Sequence, residues 1–168
     1  MAPVAAVGSR LQSALALGGW LLLCFSAAGA GGIASASAPS FFAQLDRPGW
    51  APPAALFGPV WTVLYIAMGV AAWLVWRERG RAKVRLALSL FVAQLVLNAL
   101  WTWIFFAWRQ GALAFAEIAT LWVLIAATAV AFARVRRLAC VLLVPYLAWV
   151  AYAAALTAAV WRRNPGLL

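Results

Sequence analysis

A chain of 168 residues that is 68% hydrophobic and 10% charged, with a mean hydropathy of +0.98, lies outside the composition of water-soluble domains. Its net charge of +10 comes from basic residues placed at the ends of apolar stretches rather than on one face, so they read as topology determinants and not as a nucleic-acid interface. With no histidine and three carboxylates, a His-based triad and an ordinary zinc site are excluded, and hydrolytic or metal-dependent chemistry loses its usual tools.

A spanning helix needs about 20 mostly apolar residues. Five stretches meet that need, at 11–33, 55–76, 86–107, 112–133 and 138–161. The expectation is an all-α integral membrane protein, a single domain over 1–168 built as a five-transmembrane-helix bundle. Three of the four connections are short, which makes sequence neighbours antiparallel.

The first stretch, "LQSALALGGWLLLCFSAAGAGGI" after Arg10, has two readings. The small residues "ASASA" at 34–38 would suit signal-peptide cleavage, whereas the apolar run is longer than a usual signal core and has the length of a span. Its glycines, Gly18, Gly19 and those from Gly29 to Gly32, suit close helix contact in lipid, and a packing face is the expected use.

The longest connection, 34–54, is read as a lid loop. It ends in "DRPGWAPPAALFGPVWTVLY", Asp46 to Tyr65, which holds four of the eight prolines. Each proline fixes its own φ and biases the preceding residue away from helix, so Arg47 to Pro53 is expected to be extended and stiff, with the second span starting near Ala54 or Ala55.

Within the spans, polar side chains must face protein, water or a ligand, because an unsatisfied polar group in hydrocarbon costs several kcal/mol. Trp61 and Tyr65 lie one turn apart in the second span. Gln94, Asn98 and Trp101 share a face of the third with Phe105, as a cavity wall or as interhelical hydrogen bonds. Glu117, in the fourth, is a candidate polar or proton-handling group, with stabilisation by the helix N-terminus as the alternative. Tyr146, Trp149 and Ala153 share a face of the fifth, just after Pro145. For Trp61 and Trp149 a cavity position is preferred to an interfacial belt, which suits Trp20, Trp108 and Trp161 better. Cys24 and Cys140 read as packing residues.

On the N-terminal side of the bundle fall nine basic residues, and on the other side four. The positive-inside rule then predicts a cytoplasmic N-terminus in a bacterial cell membrane, with the lid outside.

Four motifs occur in order: "RPGWAPP" (47–53), "GPVWTVLY" (58–65), "AQLVLNALWTWIFF" (93–106) and "LVPYLAWVAYAAALT" (143–157). Together with the richness in tryptophan they resemble the TspO/MBR family, the tryptophan-rich sensory proteins that include the mitochondrial translocator protein. The likeness runs from Phe41 to Asn164. It implies a retained first helix, a five-helix bundle that is commonly a homodimer, and a pocket opening toward the lid. It also implies binding of porphyrins such as protoporphyrin IX and haem, and of isoquinoline- or benzodiazepine-type ligands, with no obligatory cofactor. A eukaryotic member would lie in the mitochondrial outer membrane. By motif position the pocket would be lined by Arg47, Trp50, Pro53, Trp61, Tyr65, Gln94, Asn98, Trp101, Tyr146, Trp149 and Ala153.

Two positions depart from the family pattern. Phe42 stands where several members have a pocket tyrosine, and "LTAAVWRRN" replaces the Asn–Tyr pair usual in animal members, which removes the central aromatic of the proposed cholesterol-recognition pattern. The expected function is that of a membrane receptor or carrier for a tetrapyrrole. The alternatives are a light- and oxygen-dependent porphyrin-degrading enzyme and a ligand-controlled structural or signalling partner.

Overall fold

In hydrocarbon a helix satisfies every backbone N–H and C=O within its own segment, and each of the five apolar stretches takes that solution. The computed structural model describes residues 4–36 and 38–168, with side chains from Arg10 onward. Ser37, inside the small-residue run that raised the cleavage reading, lies outside the described residues, as do residues 1–3. The helices are α1 (Val4–Ala34), α2 (Ala38–Gln44), α3 (Phe57–Trp76), α4 (Lys83–Thr102), α5 (Gly111–Ala133) and α6 (Arg137–Arg163). A 3₁₀ turn, Ala54–Leu56, leads into α3, and a π-helical turn, Trp103–Ala107, ends α4. Five of the helical segments are long and apolar enough to cross a membrane.

The contacts close these five into a ring. Helix α1 packs on α3 and α4, α3 packs on α6, α6 on α5, and α5 on α4. The ring order is therefore α1, α3, α6, α5, α4. Its core is filled by large side chains with no exposure, Met68, Phe91, Ile125 and Phe132 among them. Small residues set the closest approach: a Cβ on Gly69 of α3 would lie 2.7 Å from Leu21 Cδ2 and 3.3 Å from its Cα. Backbones approach this closely in lipid because dispersion, not water exclusion, holds the helices together.

The boundaries differ from the pattern in instructive ways. The third span begins at Lys83 rather than 86, and the fifth runs on to Arg163, because long basic side chains can stay in a helix while their charge reaches the interface. Helix α6 passes unbroken through Pro145. The stretch 34–54 was expected to lack regular structure, yet α2 forms inside it. Pro39, in its first turn, has no N–H to lose there, and Phe41 and Phe42 supply a buried face.

The lid is fastened to α6. Asn164 donates from Nδ2 to the Asp46 carbonyl at 3.0 Å and accepts from the Asp46 backbone N–H at 2.9 Å, while Tyr152 donates from its hydroxyl to the Trp50 carbonyl at 2.9 Å. Under these ties Phe41, Phe42 and Leu45 pack on Ile104, Phe105, Leu156 and Val160. Arg47 to Pro53 is free of helix, as the prolines require, and is bent once where the Ala51 N–H meets the Pro48 carbonyl at 2.9 Å.

The α1–α3 approach gives a stability test. Gly69→Val should lower the Tm of the detergent-solubilised protein, with a cost of about 1–3 kcal/mol for overpacking. Gly18→Val, where an added Cβ meets nothing within 4 Å, should leave it near the wild-type value.

Candidate functional site

Between α1, α3, α4 and α6, beneath the lid, lies a cavity of about 640 Å³. That volume falls within the range of about 300–1,000 Å³ common to small-molecule sites. Aromatic rings form its walls. Trp61 and Tyr65 of α3 lie 5.5 Å apart by ring centroids, Trp101 of α4 stacks on Phe105 at 5.1 Å, and Phe57 meets Trp149 of α6 edge-on at 5.9 Å. The opposite wall is α1, where Phe25 is followed by Ala28, Gly29, Gly31 and Gly32. An added Cβ on Gly29 or Gly32 would meet nothing within 4 Å, so these glycines face open space. The small residues were expected to be a packing face: Gly31 is one, since its Cβ would lie 2.9 Å from Thr102 Oγ1 of α4, whereas Gly29 and Gly32 leave room.

A hydrogen-bonded chain ties the cavity to the bundle interior. The Tyr65 hydroxyl donates to Asn98 Oδ1 at 2.5 Å, Asn98 Nδ2 donates to the Tyr146 hydroxyl at 3.0 Å, and that hydroxyl donates to Gln94 Oε1 at 2.8 Å. Three helices, α3, α4 and α6, are thereby joined through groups that are each less than a tenth exposed. Tyr65 and Asn98 belong to the cavity wall; Tyr146 and Gln94 stand behind it. The two readings of the third span's polar face both hold, Asn98 serving as wall and bond, Gln94 as bond.

The remaining polar groups of the wall divide sharply. The hydroxyls of Ser35, Thr62, Thr102 and Thr157 all donate to carbonyls of their own helices, at 2.6–3.0 Å. Their protons are therefore spent. The indole N–H groups of Trp101 and Trp149, by contrast, are buried and have no acceptor among the described residues. Three other tryptophans use theirs to stitch helices together: Trp73 to the Ser13 carbonyl at 2.9 Å, Trp103 to Ala30 at 3.1 Å and Trp122 to Leu147 at 3.2 Å.

Of the residues singled out in the sequence, Trp61, Tyr65, Asn98, Trp101, Trp149 and Ala153 line the cavity. Arg47, Trp50 and Pro53 do not. Arg47 and Pro53 edge a separate shallow depression on the lid, Arg47 with its guanidinium 5.0 Å over the Phe42 ring, and Trp50 is half exposed with its ring against Tyr152. The sharp turn after Pro48 carries these residues over the lid's outer surface, while Phe42 of α2 takes the inward place. Glu117 is buried on α5, which contributes nothing to the cavity wall, and neither of its oxygens has a partner among the described residues. It does not reach the interface as the alternative reading required. The sequence reading missed Phe57, Phe106 and the α1 wall as lining residues, and Tyr152 and Asn164 as lid fastenings; the π-helical turn, which advances Phe105 and Phe106, leaves no mark on hydrophobic periodicity.

The tyrosine chain predicts its own energetics. Tyr146→Phe removes the hydroxyl that both Asn98 and Gln94 use, and should destabilise the protein by about 1–3 kcal/mol through orphaned buried groups. Thermal unfolding in detergent would read this as a lower Tm.

The matching of known proteins follows the same geometry. The family model described as the TspO/MBR family matches residues 20–162, which takes in the C-terminal half of α1, the lid and the four spans that follow. The translocator protein of Homo sapiens is 44% identical over 128 residues, covering 75% of this chain and 76% of its own. The tryptophan-rich protein TspO of Chlorobaculum tepidum is 40% identical over 129 residues, covering 74% and 80%, and protein CrtK of Rhodobacter capsulatus is 36% identical over 151 residues, covering 88% and 91%. The aromatic cavity, the proline-bound lid and the ring of five spans thus sit in a chain similar to these proteins along most of its length, and the chain belongs to the TspO/MBR family, as a multi-pass integral membrane protein.

Proposed function

We propose that the cavity binds a flat, hydrophobic tetrapyrrole, a porphyrin such as protoporphyrin IX or haem, and that the protein acts as a receptor or carrier for it. The observation that carries this reading is the aromatic-walled cavity itself, two of whose lining residues, Trp101 and Trp149, carry buried indole donors with no acceptor among the described residues. A buried donor left unmade costs about 1–3 kcal/mol, so an occupant with acceptor atoms recovers that cost. Flat rings gain further from stacking on Trp61, Trp101 and Phe105. The walls supply little else that is polar, which favours a ligand whose body is apolar.

A porphyrin also carries carboxylates, and these need a cation or water. Arg47 stacks on Phe42, a lining ring, and is placed to meet a carboxylate that emerges past it. The lid fastenings would then govern release: opening breaks the Asn164–Asp46 and Tyr152–Trp50 bonds before the ligand is freed. By this reading affinity resides in the walls and residence time in the lid.

Titration of the purified protein with protoporphyrin IX should quench tryptophan fluorescence and give a shifted Soret band that travels with the protein. Trp101→Phe together with Trp149→Phe keeps the rings and removes the two donors, and should raise Kd about tenfold to a hundredfold. Trp122→Phe, whose indole lies on the α5–α6 seam outside the cavity, should leave Kd unchanged. Equal Kd in all three proteins would overturn the assignment.

Stopped-flow release provides the second test. Asn164→Ala should speed porphyrin dissociation by about tenfold with a smaller change in the association rate, since two bonds to the lid backbone are lost. A dissociation rate equal to the wild type would show that the lid does not retain the ligand.

A further inference from the structure

The end of the bundle away from the lid carries an arrangement that the cavity does not use. At the end of α3 the Arg77 guanidinium lies 5.0 Å over the Trp73 ring, and just beyond it Arg79 lies 4.1 Å over Trp76. Trp73 is not free to turn, because its N–H is held by the Ser13 carbonyl of α1 at 2.9 Å. Arg10 stands three residues before Ser13, on the same face of α1. That face and the end of α3 meet at the α1–α3 seam.

A guanidinium held over an indole by its charge keeps its N–H donors for other partners. Five N–H donors remain in the plane, in the fork geometry that matches phosphate. Among the described residues no carboxylate takes them: Glu78, the acid of this loop, pairs instead with Arg81 at 3.5 Å and Arg136 at 3.4 Å. Arg10, Arg77 and Arg79 are all exposed. Leu11 and Leu15 of α1, 60% and 66% exposed, lie on the face of that helix turned away from Ser13 and the seam. Indoles prefer the headgroup level, so the stacked pairs lie at the depth of lipid phosphates.

We propose that Arg77 and Arg79, lying over Trp73 and Trp76, form with Arg10 a binding site for the phosphate of an anionic phospholipid. Each guanidinium near an anionic surface is worth about fivefold in binding. The fixed Trp73 indole lowers the ordering cost of Arg77, so the site selects a headgroup rather than only adding to the surface potential.

The test compares lipid retention. Protein reconstituted in bilayers of phosphatidylcholine with one fifth phosphatidylglycerol is extracted in mild detergent, and the lipid left on it is counted by mass spectrometry. Wild-type protein should retain phosphatidylglycerol over phosphatidylcholine about tenfold beyond the bulk ratio. Arg77→Gln with Arg79→Gln should lose most of that preference, whereas Arg162→Gln with Arg163→Gln, at the opposite end, should keep it. Helical circular dichroism and Tm confirm that both variants fold. Retention at the bulk ratio in wild type, or equal loss in both variants, would overturn the proposal. Displacement of the lipid by millimolar inorganic phosphate would likewise do so, by showing a free-phosphate site.

Discussion

Hydrocarbon offers a buried N–H or O–H no acceptor, and every polar hydrogen in the five spans is placed under that constraint. The tyrosine and asparagine side chains answer it with one another: Tyr65, Asn98, Tyr146 and Gln94 form a line across three helices. The tryptophans answer it in two ways. Trp73, Trp103 and Trp122 give their protons to a neighbouring helix, and so join α1 to α3, α1 to the end of α4, and α5 to α6. Trp101 and Trp149 do neither, and both stand on the cavity wall. The same chemical group thus serves as a rivet where a carbonyl is in reach and stays unpaired at the cavity wall where none is.

This division explains why the chain needs so many tryptophans. A large ring fills space between helices, supplies a surface for stacking, and carries one directional donor that the bilayer cannot satisfy. Removing a ring from the seams would take away both its bond and its packing; removing one from the wall would widen the cavity. Glycine has the complementary role. Gly69 lets α1 and α3 touch, while Gly29 and Gly32, further along α1, leave cavity space open by presenting no side chain at all.

The spans were legible in the sequence because a membrane-crossing helix is dictated by length and apolarity, and those are composition. The facing of Trp61, Tyr65, Asn98, Trp101, Trp149 and Ala153 was legible because helical spacing puts them on common faces, and the family likeness pointed to the same residues. What stayed hidden depends on events that periodicity does not encode. The turn after Pro48 sends Arg47, Trp50 and Pro53 outward, and a seven-residue helix brings Phe42 inward in a stretch too short to show a pattern. The π-helical turn rotates Phe106 onto the wall. Asn164 looked like the end of the likeness rather than a part of the site, because its partner lies 118 residues away.

That partner is a peptide group, not a side chain. Asn164 holds Asp46 through its backbone N–H and carbonyl alone, and its own amide is further fixed by donation to the Val160 carbonyl at 2.7 Å. A clasp of this kind carries no net charge and asks nothing of the residue type it holds. The Asp46 carboxylate adds only an exposed ion pair, 3.7 Å from Arg163, so a residue that keeps its backbone N–H could replace Asp46 and leave both bonds of the clasp in place, whereas the asparagine that reads it has no chemical substitute with the same donor and acceptor at the same reach.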